Sequence, residues 1–301
     1  MKIKLLLIIL TIVLIYSSCK DKKNKTLTLD DSTKPKIALA KVPNSWVEKR
    51  VKKTKEKLNA TEAGKIIWQA MQAHGGLEKW HKNGPISFRF NYQPIDGSTK
   101  RDTYQVIDTW RSHARHYQVG DSTAQYGWNG KNAWLMAKDS LTFTYNTRFW
   151  SLTPYFFSGL PFLLDGNGVN LELLPQKEFN KRLNDVIKVT FADGTGDAPD
   201  DYYVLYFDNE THKMSVIRYI VSYPGYFKKG GNSPEKLMEL FGEQTIEGIS
   251  FPQSYKTHWL TKDETAGEHI TNITLSNIEF KQNLKASHFY IPEGAKIIKD
   301  L

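Results

Sequence analysis

The sequence predicts an α+β fold: one large antiparallel sheet with a few helices against one face, built from a chain of 301 residues. Three features predict it. Apolar residues recur at helical spacing only between residues 46 and 74. Beyond residue 85 the period changes to two. Short turn pairs then separate the alternating stretches, so consecutive strands join as hairpins, without the long crossovers that parallel strands need.

In chain order, residues 1–19 (MKIKLLLIILTIVLIYSSC) have the layout of a secretory signal. Lys2 and Lys4 precede an apolar run over residues 5–15, and Ser17 and Ser18 are small residues before a cut. The run is too short to span a bilayer, which takes roughly 20 apolar residues. Cys19 follows the serines directly and is the single cysteine of the chain. This stretch resembles a bacterial lipobox, with Tyr16 where Leu or Val is commoner, and it implies acylation of Cys19. Each buried methylene of such chains contributes about 0.8 kcal/mol to membrane attachment. Residues 19–45 are rich in Lys, Asp, Ser, Thr and Pro and are expected to form a flexible tether. The expected division is therefore a signal peptide over 1–18, a tether over 19–45 and one domain over 46–301.

Within the domain, Val47, Val51 and Leu58 mark a Lys-rich surface helix. Asn59 with Glu62 reads as an N-cap box for a second helix carrying Ala63, Ile66, Ile67, Ala70, Met71 and His74, stopped by Gly75 and Gly76. Strands are expected over 86–92, 103–110, 114–119, 125–128, 133–137, 185–191, 202–207, 214–223, 239–246, 253–260 and 269–280. The turn pairs are Asp96-Gly97, Asn129-Gly130, Asp208-Asn209 and Glu247-Gly248. Residues 149–164 break the rhythm. This aromatic insert has no polar face, so both of its sides need cover, and it is expected as one or two short helices interrupted at Pro154 and Pro161.

Composition removes several functions. The net charge of +9 is concentrated at the front, since residues 58–301 hold 26 basic against 27 acidic groups. A nearly neutral body is a poor match for a nucleic-acid partner, which needs a basic face. One cysteine excludes a disulfide framework and any multi-cysteine metal site. His113 and His116, three apart on an expected strand, point to opposite faces and do not share an ion. Asp193, Asp197, Asp200 and Asp201 crowd a Gly-rich loop whose spacing differs from an EF-hand, and calcium binding there stays open. No G-x-S-x-G, H-E-x-x-H or phosphate-binding glycine loop occurs, so neither a catalytic residue nor a cofactor is assigned.

Eight Trp, fifteen Tyr and fifteen Phe are plentiful, and a sheet enclosing an apolar hollow would use them. The candidate ligand-binding residues are Trp110, Trp128, Trp134, Phe149, Trp150, Tyr155, Phe156 and Phe157. Four stretches carry a family resemblance: AHGGLEKW (73–80), YFFSGLPFLL (155–164), GDAPDDYYVLYFDNETHKM (196–214) and EGISFPQSY (247–255). They resemble a lipoprotein family of Bacteroidota. The helix ending AHGG, the LEKW turn, the first strand and the WNGKNAW hairpin also resemble the outer-membrane lipoprotein-sorting superfamily (LolA/LolB/LppX-like). That resemblance implies a strongly curved sheet, an open or half β-barrel, with helices on its concave face and a cavity for acyl chains. The expected function is a lipid-anchored envelope protein at the outer membrane, on its periplasmic face or the cell surface, binding a lipid or another amphiphile. The alternatives are a surface glycan- or protein-binding lipoprotein, or an enzyme without a readable motif.

Overall fold

The computed structural model describes residues 38–139 and 141–298; the leader, Cys19 and the tether as far as residue 37 lie outside the described residues. Three helices open the fold, α1 (Asn44–Leu58), α2 (Glu62–Ala73) and α3 (Leu77–Lys82). Five strands follow: β1 (Ile86–Pro94), β2 (Arg101–Ile107), β3 (Ala114–Gln118), β4 (Asp121–Trp128) and β5 (Ala133–Met136). The aromatic insert forms α4 (Thr147–Trp150), α5 (Thr153–Gly159) and a 3-10 turn over Phe162–Asp165. Then come β6 (Val169–Phe179), β7 (Arg182–Phe191), β8 (Tyr203–Asp208), β9 (Met214–Tyr219) and β10 (Lys236–Phe241). The small hairpin β11 (Gln244–Ile246) and β12 (Ile249–Phe251), then β13 (Ser254–Leu260), β14 (Ala266–Phe280) and β15 (Lys296–Ile298) complete it.

Thirteen of these strands form one sheet in the order β15-β5-β4-β3-β2-β1-β14-β13-β10-β9-β8-β7-β6. Every pairing in it is antiparallel. Its outer strands, β15 and β6, do not pair with each other, so the sheet is open. The alternation seen in the sequence is the alternation of burial: Ile86, Phe88 and Phe90 are buried on β1 while their neighbours are half-exposed. One face carries Phe90, Leu275, Tyr255, Met238, Ile217, Leu205 and Ile187 and packs with Ile67, Met71, Leu77 and Trp80 of the helices. The opposite face has only a small cluster around Val186, Val204, Tyr206, Val216 and Leu237. The helices thus cover one side of the sheet.

Four expectations change in detail. The N-cap of α2 is Thr61, whose hydroxyl accepts from Gly64 N at 3.1 Å, while Asn59 closes α1 by donating to Lys55 O. Thr61→Ala is expected to cost about 1 kcal/mol, seen as a thermal midpoint about 2–4 °C lower. Residues 38–43, assigned to the tether, lie against the body: Leu39 bridges Lys285, and Ala40 and Val42 are buried. The basic run after residue 48 belongs to the folded part, as the outward face of α1. Strand β6 was not foreseen. Pro175 interrupts its pattern, and a proline that removes a ladder donor is tolerated on an edge strand such as this one. The register of β6 against β7 shifts beside it, between Leu174 and Lys177.

The turn pairs perform as their chemistry predicts. Asn129 Oδ1 accepts from Lys131 N and Asn132 N, and Gly130 takes the left-handed backbone (φ 89°) that closes the β4–β5 hairpin. Glu247 and Gly248 both have positive φ, the geometry of a two-residue hairpin turn. Gly75 (φ 117°) ends α2, and a Cβ there would collide with Gly248 O of that hairpin.

A cavity between the aromatic insert and the sheet

The insert folds locally through its own polar atoms. Asn146 Oδ1 accepts from Phe149 N and starts α4. Pro154 sits in the first turn of α5, where a missing N–H costs nothing, so it begins that helix instead of interrupting it. Ser151 and Ser158 donate their hydroxyls to Thr147 O and Pro154 O. One side of the insert anchors it. Tyr155 and Phe162 stack on Trp80 of α3 at 6.3 and 4.8 Å, and Asp165 takes two hydrogen bonds from the Arg50 guanidinium of α1 at 2.5 and 2.8 Å.

The other side meets the sheet incompletely. Phe149, Trp150, Leu152, Phe156 and Phe157 form one wall of a cavity of about 320 Å³. The facing wall comes from Phe90, Ile273, Met238, Tyr219, Tyr203 and Phe191 on β1, β14, β10, β9, β8 and β7. Strands β1 and β7 are six positions apart in the sheet order. On a flat sheet they would lie about 29 Å apart, so the sheet must curve for Phe90 and Phe191 to line one hollow. Phe156 packs on Tyr203 at 4.5 Å and Phe157 on Tyr219 at 5.1 Å. The volume falls at the lower end of the roughly 300–1,000 Å³ range of small-molecule sites.

Polar groups gather at one end, where the 193–201 loop comes over the cavity. Arg148 lies 3.6 Å above the Trp128 ring and pairs with Asp197 at 2.7 Å. Asp201 Oδ1 accepts from Ser222 N and Ser222 Oγ at 2.6 and 2.7 Å, and burial pushes its carboxyl up. Lys236, on the same face of β10 as Met238, donates to Ser233 Oγ at 3.1 Å. Its ammonium lies over the Trp259 and Tyr219 rings at 5.0 and 5.6 Å, and burial lowers its pKa to about 8. The site is thus an aromatic, apolar body with four ionisable groups at one end.

Of the eight aromatic candidates, Phe149, Trp150, Phe156 and Phe157 line the cavity; Trp110, Trp128, Trp134 and Tyr155 do not. Trp128 stands one layer back, supporting Arg148. Trp134 is buried in the β4–β5 hairpin, its ring against Gly127 and beneath the Arg115 guanidinium. Trp110 packs edge-on to His81 and carries Arg50 over its ring, beside α1 and α3. Tyr155 belongs to the Trp80 stack. The reason is common to all four: ring content marks a wish for burial, and the opposite neighbour decides whether that burial faces a void. Tyr203, Tyr219, Tyr223, Phe191 and Lys236 were missed, and Asp201, singled out only as a calcium candidate, also lines the cavity. No signal marks Lys236, because β10 does not alternate: Leu237 and Met238 beside it are both apolar and both buried.

The remaining candidates are structural. His116 is buried, stacked on Tyr126 at 4.3 Å, with Nε2 donating to Ser151 O at 2.9 Å. His113 lies in the turn before β3, against Gly130. Asp197 and Asp201 of the acidic loop are engaged by Arg148 and Ser222. Among the described residues, no group of three or more His, Cys, Asp or Glu is placed to hold a metal ion, and no helix is long and apolar enough to cross a membrane.

Fold and site together define a class: an open, curved antiparallel sheet whose helical insert roofs a small aromatic cavity. The chain belongs to the family described as a family of unknown function (DUF6503), which matches residues 55–253. The fold is similar to that of a LolA superfamily protein of Nitrosomonas europaea, with a TM-score of 0.50 and 10% identity over 77% of this chain and 98% of that one. It is similar also to a DUF1329 family protein of Desulfovibrio piger, with a TM-score of 0.51 and 13% identity over 75% of this chain and 96% of the other. The fold is thus LolA-like, as the sequence resemblance implies. No curated protein matches the chain.

Proposed function

We propose that this protein is an envelope lipoprotein, held to the outer membrane through acylated Cys19, that binds a lipid or other amphiphile in the cavity beneath its aromatic insert. The observation that carries the reading is the hollow itself. Phe149, Trp150, Phe156 and Phe157 face a space of about 320 Å³, partly open to solvent, across from Tyr203 and Tyr219. An apolar body with a polar end matches a molecule with one greasy and one hydrated part. The leader and the lipobox-like Cys19 support the location. The exposed aromatics Trp46, Tyr104, Phe241 and Tyr290 lie on separate segments, and Tyr226 packs on Phe149 and Tyr223 beside the cavity, which favours the cavity over a separate glycan platform.

The full chain, purified without detergent, is expected to carry bound lipid by native mass spectrometry and to bind a fluorescent fatty acid such as cis-parinaric acid. Val221→Trp, which puts an indole into the hollow, is expected to weaken probe binding at least tenfold. Trp110→Phe, on the far side of the insert, should leave it unchanged. Absence of both copurified lipid and probe binding would sink the reading.

A further inference from the structure

The cavity's four ionisable groups are not equivalent. Arg148 and Asp197 neutralise each other at 2.7 Å. Asp201 is stabilised in place by the amide and hydroxyl of Ser222. Lys236 has a different environment. Its partners are the Ser233 hydroxyl and the faces of Tyr219 and Trp259, and among the described residues no carboxylate comes within salt-bridge distance of it. An ammonium has three donors, and only one is used by a protein acceptor. Ser233 Oγ also accepts from Val221 N at 3.0 Å, which fixes the hydroxyl that holds the lysine at the cavity wall. Keeping a cation in a partly desolvated, aromatic-walled hollow is costly without a counter-charge, and burial indeed lowers its pKa to about 8. Asp201 is the one nearby anion that opposes this, from a distance.

We infer that Lys236 is the head-group contact of this cavity, and that the ligand is a single-chain amphiphile with an anionic head. The inference rests on the reading of the hollow as a lipid site and specifies its chemistry. The negative group, a carboxylate or a phosphate monoester, takes the two N–H donors of Lys236 left over by Ser233. The chain runs from there along Phe156 and Phe157 toward Phe90. A volume of about 320 Å³ suits one chain of moderate length, not the several chains of a triacylated lipoprotein.

The test is calorimetric titration of the full-length chain, stripped of endogenous lipid on a hydrophobic exchange resin. Dodecanoate, dodecyl phosphate and dodecanol are each added below their micellar concentrations. A charge-assisted hydrogen bond predicts that the anions bind about tenfold or more tighter than the alcohol. The tighter of the two anions then separates a fatty acid from a phosphate-headed lipid. Lys236→Met should remove that preference while leaving dodecanol affinity within about twofold. Asp201→Asn, whose side-chain oxygen still accepts from Ser222, should strengthen anion binding. A readout independent of mutation is the NMR signal of reductively methylated Lys236: it should titrate near pH 8 in the free protein and at higher pH with saturating dodecanoate. If the alcohol binds as tightly as the anions, or Lys236→Met weakens all three equally, the head-group assignment fails while the lipid cavity stands. If none of the three binds, both fail.

Discussion

Acidification from about pH 7 to about pH 4.5 is expected to remove on the order of 4–5 kcal/mol of stability, before any native ion pair is lost. The main source is two histidines buried as neutral rings; burial also holds His81, His113 and His288 low, and they act in the same direction. Met214 N donates to His74 Nε2 at 3.4 Å, so Nδ1 carries the proton and gives it to Ala70 O at 2.8 Å. His116 Nε2 donates to Ser151 O, and Nδ1 faces Thr103 Oγ1 at 3.4 Å. Burial, opposed by these backbone hydrogen bonds, lowers both to about 4. In the unfolded chain each ring titrates near 6.5. As pH falls from about 6.5 to 4, the unfolded state therefore takes up protons that the folded state refuses, and stability declines throughout that window. Asp165 and Asp208, held at about 2, stay charged across it. The thermal midpoint should drop by about 10 °C. His116→Phe keeps a ring beside Tyr126 and should make the slope of stability against pH shallower, although it leaves Ser151 O unpaired and costs about 1–3 kcal/mol at neutral pH. Denaturant unfolding at a series of pH values measures this, and equal midpoints at pH 6.5 and 4.5 would refute it.

Arg50→Ala is expected to cost about 3 kcal/mol, because it leaves the Asp165 carboxylate buried without its cation. The pair ties α1 to the end of the insert, and the Asp165 side chain is 2% exposed against 31% for Arg50. Burial pushes the Asp165 carboxyl up, but the neighbouring His81 and Arg50 outweigh it and hold it at about 2. His81 Nε2, 3.9 Å away, is too far to replace the lost hydrogen bonds. The same substitution removes the cation over Trp110. Since a domain of this kind is stable by only about 5–15 kcal/mol, the midpoint should fall by several degrees. The double substitution Arg50→Met with Asp165→Leu should recover most of the loss, since a buried pair and an apolar pair of similar size are often equivalent. A double variant as unstable as Arg50→Ala alone would show that the cost lies elsewhere, in the packing of Arg50 on Trp110.

The legible parts of this protein were those governed by neighbours in sequence. Helix α2 showed its period of three to four. Strand β1 showed its period of two, and Asn129-Gly130 its hairpin. The insert was legible as an element needing cover on both sides, and Phe149, Trp150, Phe156 and Phe157 among its rings do line the cavity. Strand β6 was obscured because an edge strand needs neither clean alternation nor a full set of donors, and Pro175 breaks both signals.

Local periodicity states which side of an element avoids water, because that choice is made within a few residues. On its own the sequence therefore settled most of the elements and the hairpins between consecutive strands, while the pairing of β1 with β14, of β10 with β13 and of β15 with β5 joins strands that no short turn connects. It could not tell a ring that meets another ring from a ring that meets a void. Trp80 and Phe156 are equally apolar, yet one is locked in a stack and the other faces a hollow. That difference comes from the curvature of a sheet whose lining strands β1 and β7 are far apart in the chain, and from how far the insert reaches across it. Only the tertiary structure decided it, because a cavity is what remains after all pairs have packed.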